Sequence, residues 1–438
     1  MISSNELLNP LRFYTVDERN EIDLLIKSNQ QTKAAWLEKF RRFSCFYGRK
    51  LGSISKVRFG SKYQDQIRWM KEWLIVETEA KDIIDHSFLS AVLYCNDTLG
   101  INYDDRISHL LSRLESDLIK IEEFKEKNLK LLGKLDDLNI RKYKNNVLKP
   151  RSVIFSPTSS SHHALIIIDQ LIKLKSKPEL IVIRRITRSR FFSELKRDGF
   201  VRILKKVWRK LVLNASENNS PGSYGTLEVL KDLCISTFNL SRISKLYGIP
   251  ILNVAEFEEA NDLLHAINAD YGLFAGGGLI SDSTIRCFKH GLINTHLGPL
   301  PYYRGMDVIE APILNGDFHL VSVTAHFMSA GLDTGPVISR FTTNSDFYEY
   351  FASLGNEMRA VQPILAISSM FSNFNVNSSP APQHLADGKQ FYYIHPSLRS
   401  VLNRVLLYRF HNKFNHGDMV GKYLSNILII GNEISSDS

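Results

Sequence analysis

Cysteine is sparse in this chain. Its 438 residues contain four, Cys45, Cys95, Cys234 and Cys287, and no two stand close enough to form a CxxC pair or a zinc-ligand pattern. That density excludes a disulfide scaffold at this size, and a reducing compartment is the simpler setting. Long apolar runs are missing as well: stretches such as 164–168 and 427–430 fall far short of the ~18 residues that a spanning helix needs. The opening residues, MISSNELLNPLRFYTVDERN, have neither the cationic start nor the apolar stretch of a secretory signal. No internal repeat is visible. The expectation is a soluble, cytoplasmic protein, with no metal suggested.

What is present is ordinary globular material, with one exception. Hydrophobic residues make up 44% of the chain and charged residues 23%, enough to bury a core and to exclude whole-chain disorder. The net charge of +9 is local. Between Arg184 and Lys210 there are eleven Lys/Arg against two Asp/Glu, which is the whole of the excess. Basicity is thus a question about one segment, beginning with Arg184, Arg185, Arg188 and Arg190.

Residues 1–149 read as a mainly helical N-terminal domain. Within 104–144, Ile107, Leu111, Leu114, Leu118 and Ile121 alternate spacings of four and three, and Leu132 and Leu135 resume the pattern. That suits an amphipathic helix packed on its own domain, or a short dimerising coiled coil and hence a homodimer. From 150 the texture changes. Short strand-like apolar runs at 152–155, 179–186, 250–254, 271–275 and 292–296 alternate with helical patterns at 164–174, 226–247, 256–268 and 283–289. Such alternation specifies an α/β fold with a mostly parallel sheet and helices on both faces. A helical stretch at 346–371 closes a 150–375 domain. Residues 376–438 read as a linker, around 378–383, and a short C-terminal extension with no clear core of its own.

Ligands of open α/β sheets sit at the carboxyl ends of strands, and two of those ends stand out. At the first, Ala275, Gly276, Gly277, Gly278, Leu279 and Ile280 follow one another. Three glycines let the backbone approach a flat ligand, or simply make a tight strand-to-helix turn. The second begins on the strand at 292–296. Asn294 and His296 are two apart and share a face. A carboxamide and an imidazole side by side can donate to one oxygen, which is the arrangement that holds an oxyanion formed at a carbonyl. Two prolines, Pro299 and Pro301, stiffen the loop that follows, and Gly331-Leu-Asp-Thr-Gly335 places Asp333 where it can orient His296 or relay a proton.

Taken together, Asn294-Thr-His296, Leu300-Pro-Tyr-Tyr-Arg-Gly305, Asn315-Gly316, Thr324-Ala-His-Phe-Met328 and Gly331-Leu-Asp-Thr-Gly335 closely resemble the folate-dependent formyltransferase family. That family includes glycinamide ribonucleotide transformylase, methionyl-tRNA formyltransferase and the nucleotide-amino-sugar N-formyltransferases. The likeness runs over residues 150–372 and implies a Rossmann-like, mostly parallel sheet of the formyltransferase type. It also implies 10-formyltetrahydrofolate as formyl donor and an amine as acceptor. By the same resemblance, Asn294 and His296 stabilise the oxyanion, Asp333 keeps His296 protonated and helps move the amine proton, and the backbone of 275–280 lines the pterin pocket.

The chain also departs from the family. The tRNA-formylating members carry a C-terminal barrel, and the residues after 383 do not read as five strands. The purine-pathway members hold a substrate phosphate with a glycine-rich loop; here the loop at 156–163 has no glycine. Hydroxyls such as that of Ser159 can still bind a phosphate, or the serines simply cap a helix. The expected acceptor is then a small-molecule amine, an amino sugar carried on a nucleotide. Arg304, Asp307, Glu310, Ser159, Arg184 and Arg185 are its candidate contacts, the arginines for a diphosphate. Residues 184–210 equally suit an anionic membrane or nucleic-acid surface, or a solvated amphipathic helix. A methionyl-tRNA formyltransferase of altered build and a non-catalytic folate- or partner-binding protein of the same fold are the alternatives.

Overall fold

The computed structural model describes residues 86–99, 105–121, 134–135, 138–145, 147–185, 230, 233, 239–276, 280–342, 354–376, 379–391 and 394–410. Residues 186–210, with Arg188 and Arg190, lie outside the described residues, as do Gly277, Gly278 and Leu279.

Two helices, α1 (His86–Leu99) and α2 (Asp105–Ile119), precede a short strand, β1 (Lys134–Leu135), and a 3-10 turn (Ile140–Tyr143). The α/β run follows as β2 (Ser152–Ser156), α3 (His162–Lys173), β3 (Leu180–Arg184), α4 (Leu240–Tyr247) and β4 (Ile251–Val254). A 3-10 turn (Phe257–Ala260) leads into α5 (Asn261–Ile267), then β5 (Tyr271–Phe274), α6 (Asp282–Ile285) and β6 (Gly291–Leu297). Next come β7 (Tyr303–Gly305), α7 (Glu310–Leu314), β8 (Ser322–Phe327) and β9 (Val337–Thr342). The long α8 (Leu354–Val376), β10 (Lys389–Phe391) and α9 (Pro396–Phe410) complete the described chain.

Eight strands form one sheet in the order β1-β9-β8-β6-β5-β2-β3-β4. The five from β6 to β4 are parallel, β8 runs antiparallel to β6 and β9, and β1 lies parallel to β9. This is the expected mostly parallel α/β sheet. Alternate residues of β2 face different layers. Val153 and Phe155 pack with Phe257 and Leu264, whereas Ile154 joins Ile181, Leu273, Leu165 and Ile364 on the other side. Both faces are covered, so the strand reads in sequence as one uninterrupted apolar run.

The helix boundaries follow from their caps. Ser161 starts α3 by accepting from the Ala164 N–H, and Asn239 starts α4 by accepting from the Ser241 N–H. A helix running unbroken over 226–247 is thus corrected, because Asn239 has extended backbone. Leu135 is also corrected: it lies in β1 opposite Arg340 of β9, not on a helix. A two-residue strand has no period to read. On α2 the buried stripe is Ile107, Leu110, Leu114 and Leu118, so Leu110 joins the expected positions, and Leu111 packs half-buried at its edge. That stripe packs against α9, where Arg404 also reaches Glu115 at 2.6 Å.

Residues 379–391 do not behave as a free linker. Ala381 and Val337 exchange two backbone hydrogen bonds of 2.8 Å, and β10 pairs in parallel with β7. Leu398, Val401, Leu402 and Val405 of α9 enter the same core as α1, α2 and α8. His395 donates its backbone N–H to Ser90 Oγ at 2.9 Å, and its Nε2 stands 2.8 Å from Asp97 Oδ2. The described parts of the two chain ends thus form one body with the sheet. Among the described residues no helix is long and apolar enough to cross a membrane.

Candidate active site

The polar side chains of the site are brought together by strand register. In the antiparallel pairing of β6 with β8, Asn294 stands opposite His326 and His296 opposite Thr324. Ser322, Thr324 and His326 alternate along β8, so all three turn their side chains to one face. The intervening Val323 and Ala325 go to the apolar core. Thr324 donates to the Gly298 carbonyl at 2.6 Å and accepts from the Leu300 N–H at 3.4 Å, which fixes the start of the Leu300–Gly305 loop.

Proton positions follow from what each nitrogen faces. His326 Nδ1 is 2.8 Å from the Phe327 carbonyl, which can only accept, so Nδ1 carries hydrogen. Its Nε2, 3.2 Å from Asn294 Nδ2, is then the acceptor. Burial pulls His326 down to about 4 against the opposing pull of Asp333, so the ring is neutral. The contact also settles the orientation of Asn294: its amide nitrogen, and not its oxygen, faces His326 Nε2. His296 donates from Nε2 to the Tyr303 carbonyl at 2.9 Å, and its Nδ1 lies 3.4 Å from Asp333 Oδ2. The other oxygen, Asp333 Oδ1, is 3.8 Å from His326 Nε2. One carboxylate therefore stands between two imidazoles. Asn294 is linked to Asp333 and His296 through His326.

The neighbouring loop is tied down by side-chain contacts. The Tyr303 hydroxyl donates to Asp317 at 2.8 Å and accepts from Asn315 at 2.9 Å, and its ring stacks on Phe391 with centroids 4.8 Å apart. Gly305 has φ +97°, and a Cβ there would lie 2.4 Å from the Phe391 carbonyl oxygen. Only glycine fits. At the end of β5, Phe274 pairs with Asn294, so Ala275 and Gly276 sit directly beside the site. Gly276 has φ +96°, and Ile280 is buried. Backbone groups at this corner suit the edge of a flat heterocycle.

The candidate acceptor contacts have other uses. Arg304 donates to the Gly388 carbonyl at 3.2 Å. Asp307 and Glu310 both hold Arg399 of α9, at 2.6 Å and 2.5 Å. Ser159 is exposed, and its carbonyl accepts from the Leu240 N–H at 2.8 Å. Arg184 pairs with Glu256 and lies over the Phe257 ring at 5.7 Å, whereas Arg185 is exposed. His326 was given no role from the sequence; the signal available was its place in Thr324-Ala-His-Phe-Met328, which matched the family pattern. Among the described residues no cluster of His, Cys, Asp and Glu is placed to hold a metal ion.

Residues 251–365 match the family model described as "Formyl transferase". A methionyl-tRNA formyltransferase of Thermotoga neapolitana is 34% identical over 110 residues, which are 24% of this chain and 35% of that protein. One of Thermodesulfovibrio yellowstonii is 24% identical over 147 residues, 33% of this chain and 47% of that protein. The chain thus spans less than half the length of either. A crystal structure of the N-formyltransferase of Helicobacter canadensis, in complex with folinic acid and dTDP-3-aminofucose, is 17% identical with a TM-score of 0.34. That match covers 55% of this chain and 70% of the other.

Proposed function

We propose that this chain, whose residues 251–365 match the formyl transferase model, moves a formyl group from 10-formyltetrahydrofolate to a primary amine. The carrying observation is the convergence of Asn294, His296, His326 and Asp333 at one strand end. In such a transfer an amine nitrogen adds to the formyl carbon, the carbonyl oxygen takes up the electron pair, and the amine loses a proton. The bond to the folate nitrogen then breaks as that nitrogen gains a proton.

The residues fit those needs. The second Asn294 amide hydrogen faces the oxygen, and His326, neutral and accepting, keeps it there. His296 has partners at both nitrogens, so with a proton on each it contributes positive charge held in place by Asp333. Asp333 is the group that can take the amine proton, directly or through water. Ala275, Gly276 and Ile280 are the described part of the corner that would hold the pterin.

The finer reading is an amino sugar on a nucleotide as acceptor. Support for a small acceptor is the covering of the Tyr303–Gly305 strand by β10 and of α7 by α9. A second reading, methionyl-tRNA as acceptor, is favoured by the names of the curated relatives. Incubation with 10-formyltetrahydrofolate and either a panel of nucleotide amino sugars or methionyl-tRNA separates them. Tetrahydrofolate release and a formyl mass increment with a sugar amine support the first. Transfer only to the tRNA, falling steeply with salt, supports the second, and transfer to neither rejects the proposed activity.

A further inference from the structure

We propose that Gln383 is a positioning residue of this site: its side-chain amide holds the turn that presents Asp333 to His296 and His326. Asp333 has φ +53°, in the left-handed region that a non-glycine residue enters only at a cost. Such a conformation persists where its surroundings over-determine it, and here they do. Gly335, two residues on, is packed so tightly against β8 that a Cβ would stand 1.9 Å from the Phe327 carbonyl oxygen. Within the turn, the Thr334 and Ser329 hydroxyls lie 2.8 Å apart. The Pro336 carbonyl accepts from the Phe327 N–H at 2.9 Å, and a further hold comes from fifty residues away. Gln383 Nε2 is 3.1 Å from the Asp333 carbonyl oxygen and 2.5 Å from that of Gly335.

Both partners are carbonyls and can only accept. The two contacts use the two N–H donors of one amide, which also settles which end of the side chain is nitrogen. Neither an apolar side chain nor a carboxylate can bridge them, the first for want of donors and the second by repulsion. The backbone near Gln383 is fixed separately, through the paired hydrogen bonds of Ala381 with Val337. Removing the amide therefore frees the turn and leaves the segment docked. The Asp333 carboxylate then drifts from His296 Nδ1, now 3.4 Å away.

The kinetic part of the test rests on the formyl-transfer reading, and the spectroscopic part does not. Full-length Gln383→Leu and Gln383→Glu are compared with wild type and with Asp333→Asn. The first readout is the pair of ring 15N shifts of His296 at neutral pH, assigned with His296→Gln. In both Gln383 variants these shifts move from the wild-type values toward those of Asp333→Asn, with the thermal midpoint close to wild type. The second readout is steady-state transfer: kcat falls about ten- to a hundredfold while the acceptor KM changes less than about twofold, as misplacement of a catalytic group requires. Wild-type ring shifts in both folded Gln383 variants overturn the proposal. Loss of the fold in both overturns it as well, because the amide would then hold the structure and not the carboxylate. A wild-type protein that transfers no formyl group removes the proposed function, and the ring shifts still decide on Gln383.

Discussion

Two strand ends of the same sheet carried the chemistry expected of this chain, and the fold treats them differently. At the β6–β8 end, Asn294 contacts His326, Asp333 lies beside both His326 and His296, and among the described residues no Lys or Arg pairs with the carboxylate. At the β2–β3 end, Arg184 is paired with Glu256 and stacked on Phe257, while the Ser156–Ser161 loop uses Ser161 to cap α3. Polar side chains partner one another around an open site in one place and brace the scaffold in the other. What separates them is whether the partners of a polar group lie within the site or within the scaffold.

The largest expected effect falls on the shared carboxylate. Asp333→Asn keeps the shape and removes the charge and the proton acceptor, and formyl transfer drops by about a thousandfold in single-turnover measurements. Smaller is the effect of His326→Phe, which fills a similar space but cannot accept from Asn294. The released amide loses its aim at the oxyanion, and kcat falls by about a hundredfold with folate affinity little changed.

A buried histidine at this corner and another on α3 set an acid limit on stability. Burial pulls His326 and His163 from the usual 6.5 down to about 4. Between those values the unfolded chain binds protons that the folded chain refuses, so stability is full above about pH 6.5 and falls toward pH 4. Urea midpoints measured across that window show the decline, and His326→Phe makes it shallower by up to one proton. Least affected is the other strand end: Arg184→Ala changes transfer by less than about twofold and stability by about 1 kcal/mol or less, as a pair with an exposed carboxylate should. A tenfold rise in acceptor KM in that variant would erase the contrast between the two ends.

Much of the sheet was legible. The runs at 152–155, 250–254, 271–275 and 292–296 lie within a residue or two of the observed strands, because buried parallel strands are apolar throughout and end at polar or glycine-rich turns. Asn294 and His296 were legible because period two places them on one face. His326 is marked in the sequence only by its place in Thr324-Ala-His-Phe-Met328, and its contact with Asn294 needed the cross-strand register. The same holds for Arg399, which takes up Asp307 and Glu310 from across the fold, and for Gln383, whose partners are fifty residues away. Proline and polar residues at 378–383 looked like a linker, yet the segment is held to the sheet at Ala381. Local composition records flexibility of the chain and not the contacts that remove it.

The central claim, that the β6–β8 corner performs formyl transfer, is tested most directly by measuring transfer and folate affinity together in wild type and His296→Ala. With 10-formyltetrahydrofolate and the acceptor identified for the wild type, the account predicts transfer lowered more than about a hundredfold and folate affinity within about twofold, since the pterin corner at Ala275 and Gly276 is untouched. Transfer in His296→Ala equal to that of the wild type would contradict it.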